Sequence, residues 1–205
     1  MQVKVKICAI RSLKAAQVAY EEGADFLGLV FVPNHLHTIN PKVAKVISKN
    51  LKGKISLVGL FKNHSQDQIV HNIKEYDLDY IQLHGDETPA FVNKINSKII
   101  KAFRLPGEFN IEKTRVDMEN YRVDYYLLDR VKTGEGKMLN LEKANLLAKQ
   151  FPLMFAGGLT PNNVAKVVST VRPFAVDVAS GVETDDHQDT EKIKLFIRNA
   201  KGVSL

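Results

Sequence analysis

Short runs of aliphatic and β-branched residues recur along the chain. Each is followed by a stretch whose apolar positions return every three or four residues. The first pattern predicts a strand and the second an amphipathic helix. The strand-like runs are VKVKICAI (3–10), DFLGLVFV (25–32), ISLVGLF (55–61), YIQLHG (80–85), IIKAFRL (99–105), YYLLDRV (125–131), PLMFAGG (152–158) and FAVDVASG (174–181). Between them lie LKAAQVAYEEG, PKVAKVISKNL and QDQIVHNIKEY, and after the last comes TEKIKLFIRNA, with Ile193, Phe196 and Ile197 on one face. Punctuation agrees: Ser12 suits the cap of the first helix and Gly23 its end, and Pro41, Pro89 and Pro161 suit first helical turns. The fifth unit is the weak one, because LPGEFNIEKTRVDMENY has poor periodicity and predicts a short or irregular helix.

Strands alternating with helices imply βαβ units and a parallel sheet. Eight units in 205 residues leave about 25 residues each, which predicts an α/β fold, a small (β/α)8 TIM barrel, with residues 1–205 as a single domain. The competing open doubly wound sheet usually has a Gly-rich first turn, and ICAIRS offers no glycine there.

Composition mainly excludes. Apolar residues make up 44% and charged residues 25%, so a folded chain is expected. The single cysteine rules out a disulfide framework and any cysteine-based zinc site. No apolar run approaches the ~18 residues of a membrane span, and MQVKVKICAI lacks a signal-peptide core. No membrane partner and a cytoplasmic location are therefore expected. Lys and Arg exceed Asp and Glu by 29 to 23. That excess fits a solvated basic surface, nucleic acid or an anionic small substrate. The lysines are spread along the chain without a finger, KH or RRM signature, so nucleic acid is not expected. Monomer and homodimer stay open.

In such a barrel the chemistry sits at the C-terminal ends of the strands and in the loops after them. Alternation puts Val3, Val5 and Ile7 against the helices and Lys4, Lys6 and Cys8 inside. Cys8 near the mouth reads either as a buried small hydrophobe or as a reagent. If it is a reagent, Lys6 is a cation placed to favour its thiolate. In the sixth strand Tyr125, Leu127 and Asp129 share a face. A carboxylate at the last inward position is costly to bury unpaired, so Asp129 is a functional candidate unless Arg130, Lys132 or a helix cap explains it. Gln82 and His84 share the inward parity of QLHGDE, and Asp177 that of VDVASG; Gln82 or Asp177 also fits a polar core network. Gly157 and Gly158 after strand seven, and Ser180 and Gly181 after strand eight, stand in the loops that form the recurring phosphate site of this fold. No metal motif is present, and the His35–His37 pair reads as an ordinary solvated loop.

VKICAI, GADFLGLVF, QLHGDE, LLD, AGGLTPNNV, RPFAVDVASGVE and KIKLFIRNAKG, in this order over nearly the whole chain, resemble the phosphoribosylanthranilate isomerase family. The resemblance implies the Amadori rearrangement of a phosphorylated small molecule in tryptophan biosynthesis, with no cofactor or metal. It also implies Cys8 as general base, Asp129 as general acid, and Gly157, Gly158, Ser180 and Gly181 around the phosphate. The chain departs from the family at three places. Ala9 replaces the glycine of KICG. His37 stands where an arginine holds the anthranilate carboxylate. TGEGKMLNL keeps Gly134, Gly136 and Lys137 but lacks the family's Asp-Trp. His37 is a candidate to take over the carboxylate; the alternatives are another cation, such as Arg11 or Arg130, or a mobile loop with His37 solvated. A diverged paralogue that acts on, or only binds, another phosphorylated sugar metabolite is the alternative.

Overall fold

A computed structural model of the chain describes residues 2–131 and 138–204. The strands are β1 (Lys4–Ile7), β2 (Phe26–Val30), β3 (Ser56–Phe61), β4 (Tyr80–Leu83), β5 (Lys98–Leu105), β6 (Tyr125–Arg130), β7 (Leu153–Phe155) and β8 (Ala175–Val178). They pair in parallel in sequence order, and β8 returns to β1 with Lys6 opposite Asp177, so the sheet closes into the expected barrel. The helices between and after them are α1 (Leu13–Glu21), α2 (Pro41–Leu51), α3 (Gln66–Tyr76), α4 (Pro89–Val92), α5 (Ile111–Glu119), α6 (Leu141–Ala148), α7 (Val164–Val171) and α8 (Thr190–Lys201).

Strand parity divides the core in two. Val5, Ile7, Leu27, Leu29, Leu57 and Phe155 face the helices. Phe26, Val58, Ile100, Ala102, Leu127, Met154, Ala156 and Ala175 fill the barrel. A repeated device closes the lower rim. Asp25, Asp79 and Asp124 immediately precede β2, β4 and β6, and each accepts a backbone N–H near the start of the strand before, from Val5 at 2.9 Å, Leu57 at 2.8 Å and Ile99 at 2.7 Å. These are N–H groups at strand starts that would otherwise be buried without a partner. The residue after each aspartate is aromatic, and Phe26, Tyr80 and Tyr125 meet one another beneath the barrel, with Tyr125 stacked on Phe174 at 4.4 Å.

Some expectations need correction. Ser180 and Gly181 do not end β8; they form a 3-10 turn over Ser180–Val182. Pro161 lies in the turn before α7, whose cap is Asn163. The fifth helix is regular over nine residues; its periodicity is weak because only Thr114 and Met118 are buried. The short helix is α4, with four residues. The polar segment after β8 forms an unforeseen hairpin, β9 (Glu183–Thr184) with β10 (His187–Gln188), turning through Asp185 and Asp186 at φ 49° and 58°. Asp and Asn tolerate that left-handed region better than most residues.

Candidate active site

Two clusters meet at the mouth of the barrel. The first is built on β1. Cys8 lies one residue past the strand, and its N–H donates to the Val178 carbonyl at 2.7 Å. Lys6, beneath it, is completely buried and donates to Asp177 Oδ1 at 3.0 Å. A buried ammonium needs such a partner, and Asp177 together with the Cys8 thiol holds Lys6 protonated. Burial pushes the Cys8 thiol up, and Lys6 pulls it back only in part. The expected bias toward thiolate is therefore outweighed by desolvation. Lys4 has the same parity but sits at the lower rim, where it reaches Asp25 at 2.8 Å. Gly28 on β2 makes the cluster possible: a Cβ there would stand 2.7 Å from the Cys8 sulfur and 3.0 Å from Lys6 Nζ.

The second cluster spans β4 and β6. Gln82 Nε2 lies 3.0 Å from His84 Nδ1, and His84 Nε2 lies 3.1 Å from Asp129 Oδ2. Which ring nitrogen carries the proton follows the orientation of the Gln82 amide, and the ring meets Asp129 at Oδ2. Asp129 Oδ1 accepts the Arg130 backbone N–H at 2.8 Å. Asp129 thus has both oxygens oriented while remaining 26% exposed to the mouth. Lys132, a rival partner for it, lies outside the described residues, as do Gly134, Gly136 and Lys137. The two clusters interact, since the charges of Asp129 and His84 are felt at Asp177.

The glycine loops pack onto each other and onto the acid strand. Gly157 and Gly158 both have φ +84°, a conformation suited to glycine. A Cβ on Gly157 would lie 2.6 Å from the Arg130 nitrogen, and one on Gly181 would run into the Leu159 carbonyl. A Cβ on Gly158 would meet Met138 Cγ at 3.8 Å and the Arg130 guanidinium at 4.0 Å, ordinary contacts, so φ alone requires glycine there. Asn163 ties the loop to α7 by accepting from the Thr160 N–H at 2.8 Å and donating to the Gly158 carbonyl at 2.9 Å.

His37 does not stand free in the mouth. Its Nε2 lies 3.1 Å from Glu183 Oε2, while Arg11 reaches Glu183 Oε1 at 2.7 Å and also bonds the Asp186 carbonyl. The Glu183 side chain, on β9, is almost fully covered where it meets Arg11 and His37. Two features were missed in the sequence here. Glu183 has no local signal, since its partner Arg11 is 172 residues away. Gln188 on β10 bonds the Ala9 carbonyl and the Arg11 N–H, each at 2.9 Å, and so steadies the turn after β1. Ala9 in that turn has φ 59°, which explains the glycine of the family pattern.

A family model described as N-(5'phosphoribosyl)anthranilate (PRA) isomerase matches residues 5–199. A Geobacter sulfurreducens protein named N-(5'-phosphoribosyl)anthranilate isomerase is 42% identical over 98% of this chain and 99% of its own. Among solved structures, monomers generated from the dimeric phosphoribosylanthranilate isomerase of Thermotoga maritima superpose with a TM-score of 0.86 at 36% identity, covering 98% of this chain and all of that one. A phosphoribosyl anthranilate isomerase in complex with reduced 1-(o-carboxyphenylamino)-1-deoxyribulose 5-phosphate does so at 0.85 and 35%, with the same coverage.

Proposed function

The chain belongs to the N-(5'-phosphoribosyl)anthranilate isomerase family, and on that premise we infer how its own residues serve the reaction. It converts N-(5-phosphoribosyl)anthranilate to 1-(2-carboxyphenylamino)-1-deoxyribulose 5-phosphate, an Amadori rearrangement in tryptophan biosynthesis. The observation that carries the assignment of roles is the placement of one thiol and one oriented carboxyl group, on β1 and β6, over a single mouth. Asp129 protonates the ribose ring oxygen as the C1–O bond breaks, and the nitrogen lone pair forms the Schiff base. The Cys8 thiolate then takes the proton from C2, the electron pair forms the C1–C2 double bond, and the enolamine tautomerises to the ketone. Gly157, Gly158, Ser180 and Gly181 offer close backbone approach to the 5-phosphate. Gln82 and His84 orient the acid, and Asp177 anchors Lys6 under the base.

The family's biosynthetic role supports a cytoplasmic protein acting on a small phosphorylated molecule without nucleic acid or membrane. Among the described residues no helix is long and apolar enough to cross a membrane. A homodimer has a precedent in the Thermotoga maritima relative, which is described as dimeric; a monomer is the other form considered.

Turnover of phosphoribosylanthranilate by the purified protein tests the activity. Cys8→Ala and Asp129→Asn are expected to lower kcat by about 10²–10⁴-fold each, with smaller changes in KM. Near-normal turnover in either variant would remove that residue from the mechanism.

A further inference from the structure

β4 and β5 pair in register as far as Leu83 opposite Lys101, and His84 lies one residue past that last rung. From there a side chain takes over from the ladder. Lys101 has the opposite parity to Ile100 and Ala102, which fill the barrel, so it leaves β5 on the helix-facing side, where its Nζ lies 5.8 Å from the centre of the Tyr121 ring. The ammonium has three N–H groups to give. It donates to the Leu83 carbonyl at 3.4 Å, the Gly85 carbonyl at 2.8 Å and Glu87 Oε2 at 3.0 Å. The two carbonyls flank His84. Glu87 completes the clamp: its Oε2 accepts the Gly85 N–H at 3.0 Å, and its Oε1 accepts the Asn63 N–H at 2.9 Å, which ties in the loop after β3. Gly85 leaves space for this carboxylate, since a Cβ there would run into Asn63 Oδ1 and lie 2.8 Å from Glu87 Oε1. Tyr121 donates to the Glu87 carbonyl at 3.0 Å, and its own carbonyl accepts from Tyr126, on the acid strand β6, at 2.7 Å.

The mechanism above uses neither Lys101 nor Glu87, and their side chains are only 4% and 2% exposed. An ammonium and a carboxylate buried together are often no more stabilising than two apolar side chains of the same size. What the charged pair adds is direction, because its hydrogen bonds fix the backbone on both sides of one residue. That residue is His84, whose own N–H donates to the Phe61 carbonyl at 2.9 Å and whose ring meets Gln82 and Asp129. We propose that Lys101 and Glu87 are a positioning pair for the acid half of the reaction, holding His84 against Asp129 from behind the sheet. This inference rests on the isomerase reading and deepens it. A catalytic group displaced by about 1 Å can lose about 10²-fold in rate, so an imidazole released by the clamp would no longer aim the Asp129 carboxyl group. The phosphate loops follow β7 and β8, and in a closed ring of eight strands β8 stands opposite β4. The clamp therefore bears on the proton transfer and not on the grip of the phosphate.

Lys101→Met alone would leave a buried carboxylate without its cation and endanger the fold. The working variant is therefore Lys101→Met combined with Glu87→Gln, which is neutral and keeps an acceptor for the Gly85 and Asn63 N–H groups. With phosphoribosylanthranilate as substrate, kcat should fall by about ten- to hundredfold, while KM and inhibition by inorganic phosphate stay within about threefold. Glu87→Asp keeps both charges but shortens the clamp, and should show the same split at smaller size even where the double variant fails to fold. In a His84→Ala background, itself impaired in kcat, the double change should lower kcat no further, because the clamp acts through the imidazole. Normal kcat in a folded variant overturns the proposal, and so does a KM that rises in step with the loss of kcat. Losses that multiply with that of His84→Ala, or a His84→Ala variant with normal turnover, do the same. The NMR signals of the His84 ring give a measurement without turnover. Asp129→Asn should move them in the otherwise unaltered protein and leave them in place in the clamp variants. An equal response in both overturns the positioning pair. A response lost with the clamp, in a protein that does not turn over phosphoribosylanthranilate, would instead overturn the isomerase reading and leave the positioning pair standing.

Discussion

Cys8 is placed under opposing influences that its neighbours make explicit. Burial raises its thiol and the Lys6 ammonium lowers it, with burial the stronger. The base is the deprotonated form, so a raised thiol moves the useful fraction to higher pH. For the free enzyme, kcat/KM should therefore climb with pH through a midpoint above the ~8.5 of an ordinary thiol. Rates measured from about pH 6.5 to 9.5 decide this, and a flat profile there would exclude Cys8 as the base. Ala9, next to it, adopts a left-handed conformation that costs a residue with a Cβ about 1–2 kcal/mol. Gln188, clamping that turn from β10, holds it in place. Gly28 shows the converse economy: it lacks the one atom that would displace the sulfur.

At the scale of elements, the aspartates before β2, β4 and β6 act as rungs between neighbouring strands. Asp124→Ala would leave the Ile99 N–H unpaired below the barrel, far from the mouth. It should cost about 1–3 kcal/mol in urea unfolding, with kcat and KM unchanged, since the penalty is desolvation of one buried donor. A loss of activity at full stability would contradict that account. The strands and most helices were legible because β-branched runs and 3.6-residue periodicity are local signals, and Cys8, His84, Asp129 and Asp177 followed from parity. Hairpin β9–β10 was not readable. ETDDHQ carries no alternation, and its value lies in Glu183 and Gln188 reaching residues at the other end of the chain. The upward shift of the thiol also escaped the sequence, because a nearby lysine can be read there while the depth of burial cannot.

For the whole molecule, closure is the decisive step, and it is made by the most distant partners. Lys6 and Asp177, 171 residues apart, bring both charges into the sealed interior at the seam between β1 and β8. Lys6→Met should destabilise the protein by about 3–5 kcal/mol, because a buried carboxylate is left without its cation. Lys6→Met combined with Asp177→Leu should recover most of that loss, read as the urea midpoint of each variant. A double variant no more stable than the single one would show that the pair is not what holds the seam. The seam also sets an order in time. Synthesis delivers Lys6 171 residues before Asp177, with Cys8 close behind the lysine and Ser180 and Gly181 close behind the aspartate. At about 5–20 residues per second, the base waits on the order of ten to thirty seconds for the strand that completes its surroundings. During that interval the thiol has no Asp177 behind its lysine and no Val178 carbonyl on its N–H. A nascent chain therefore carries the base long before the finished site around it exists.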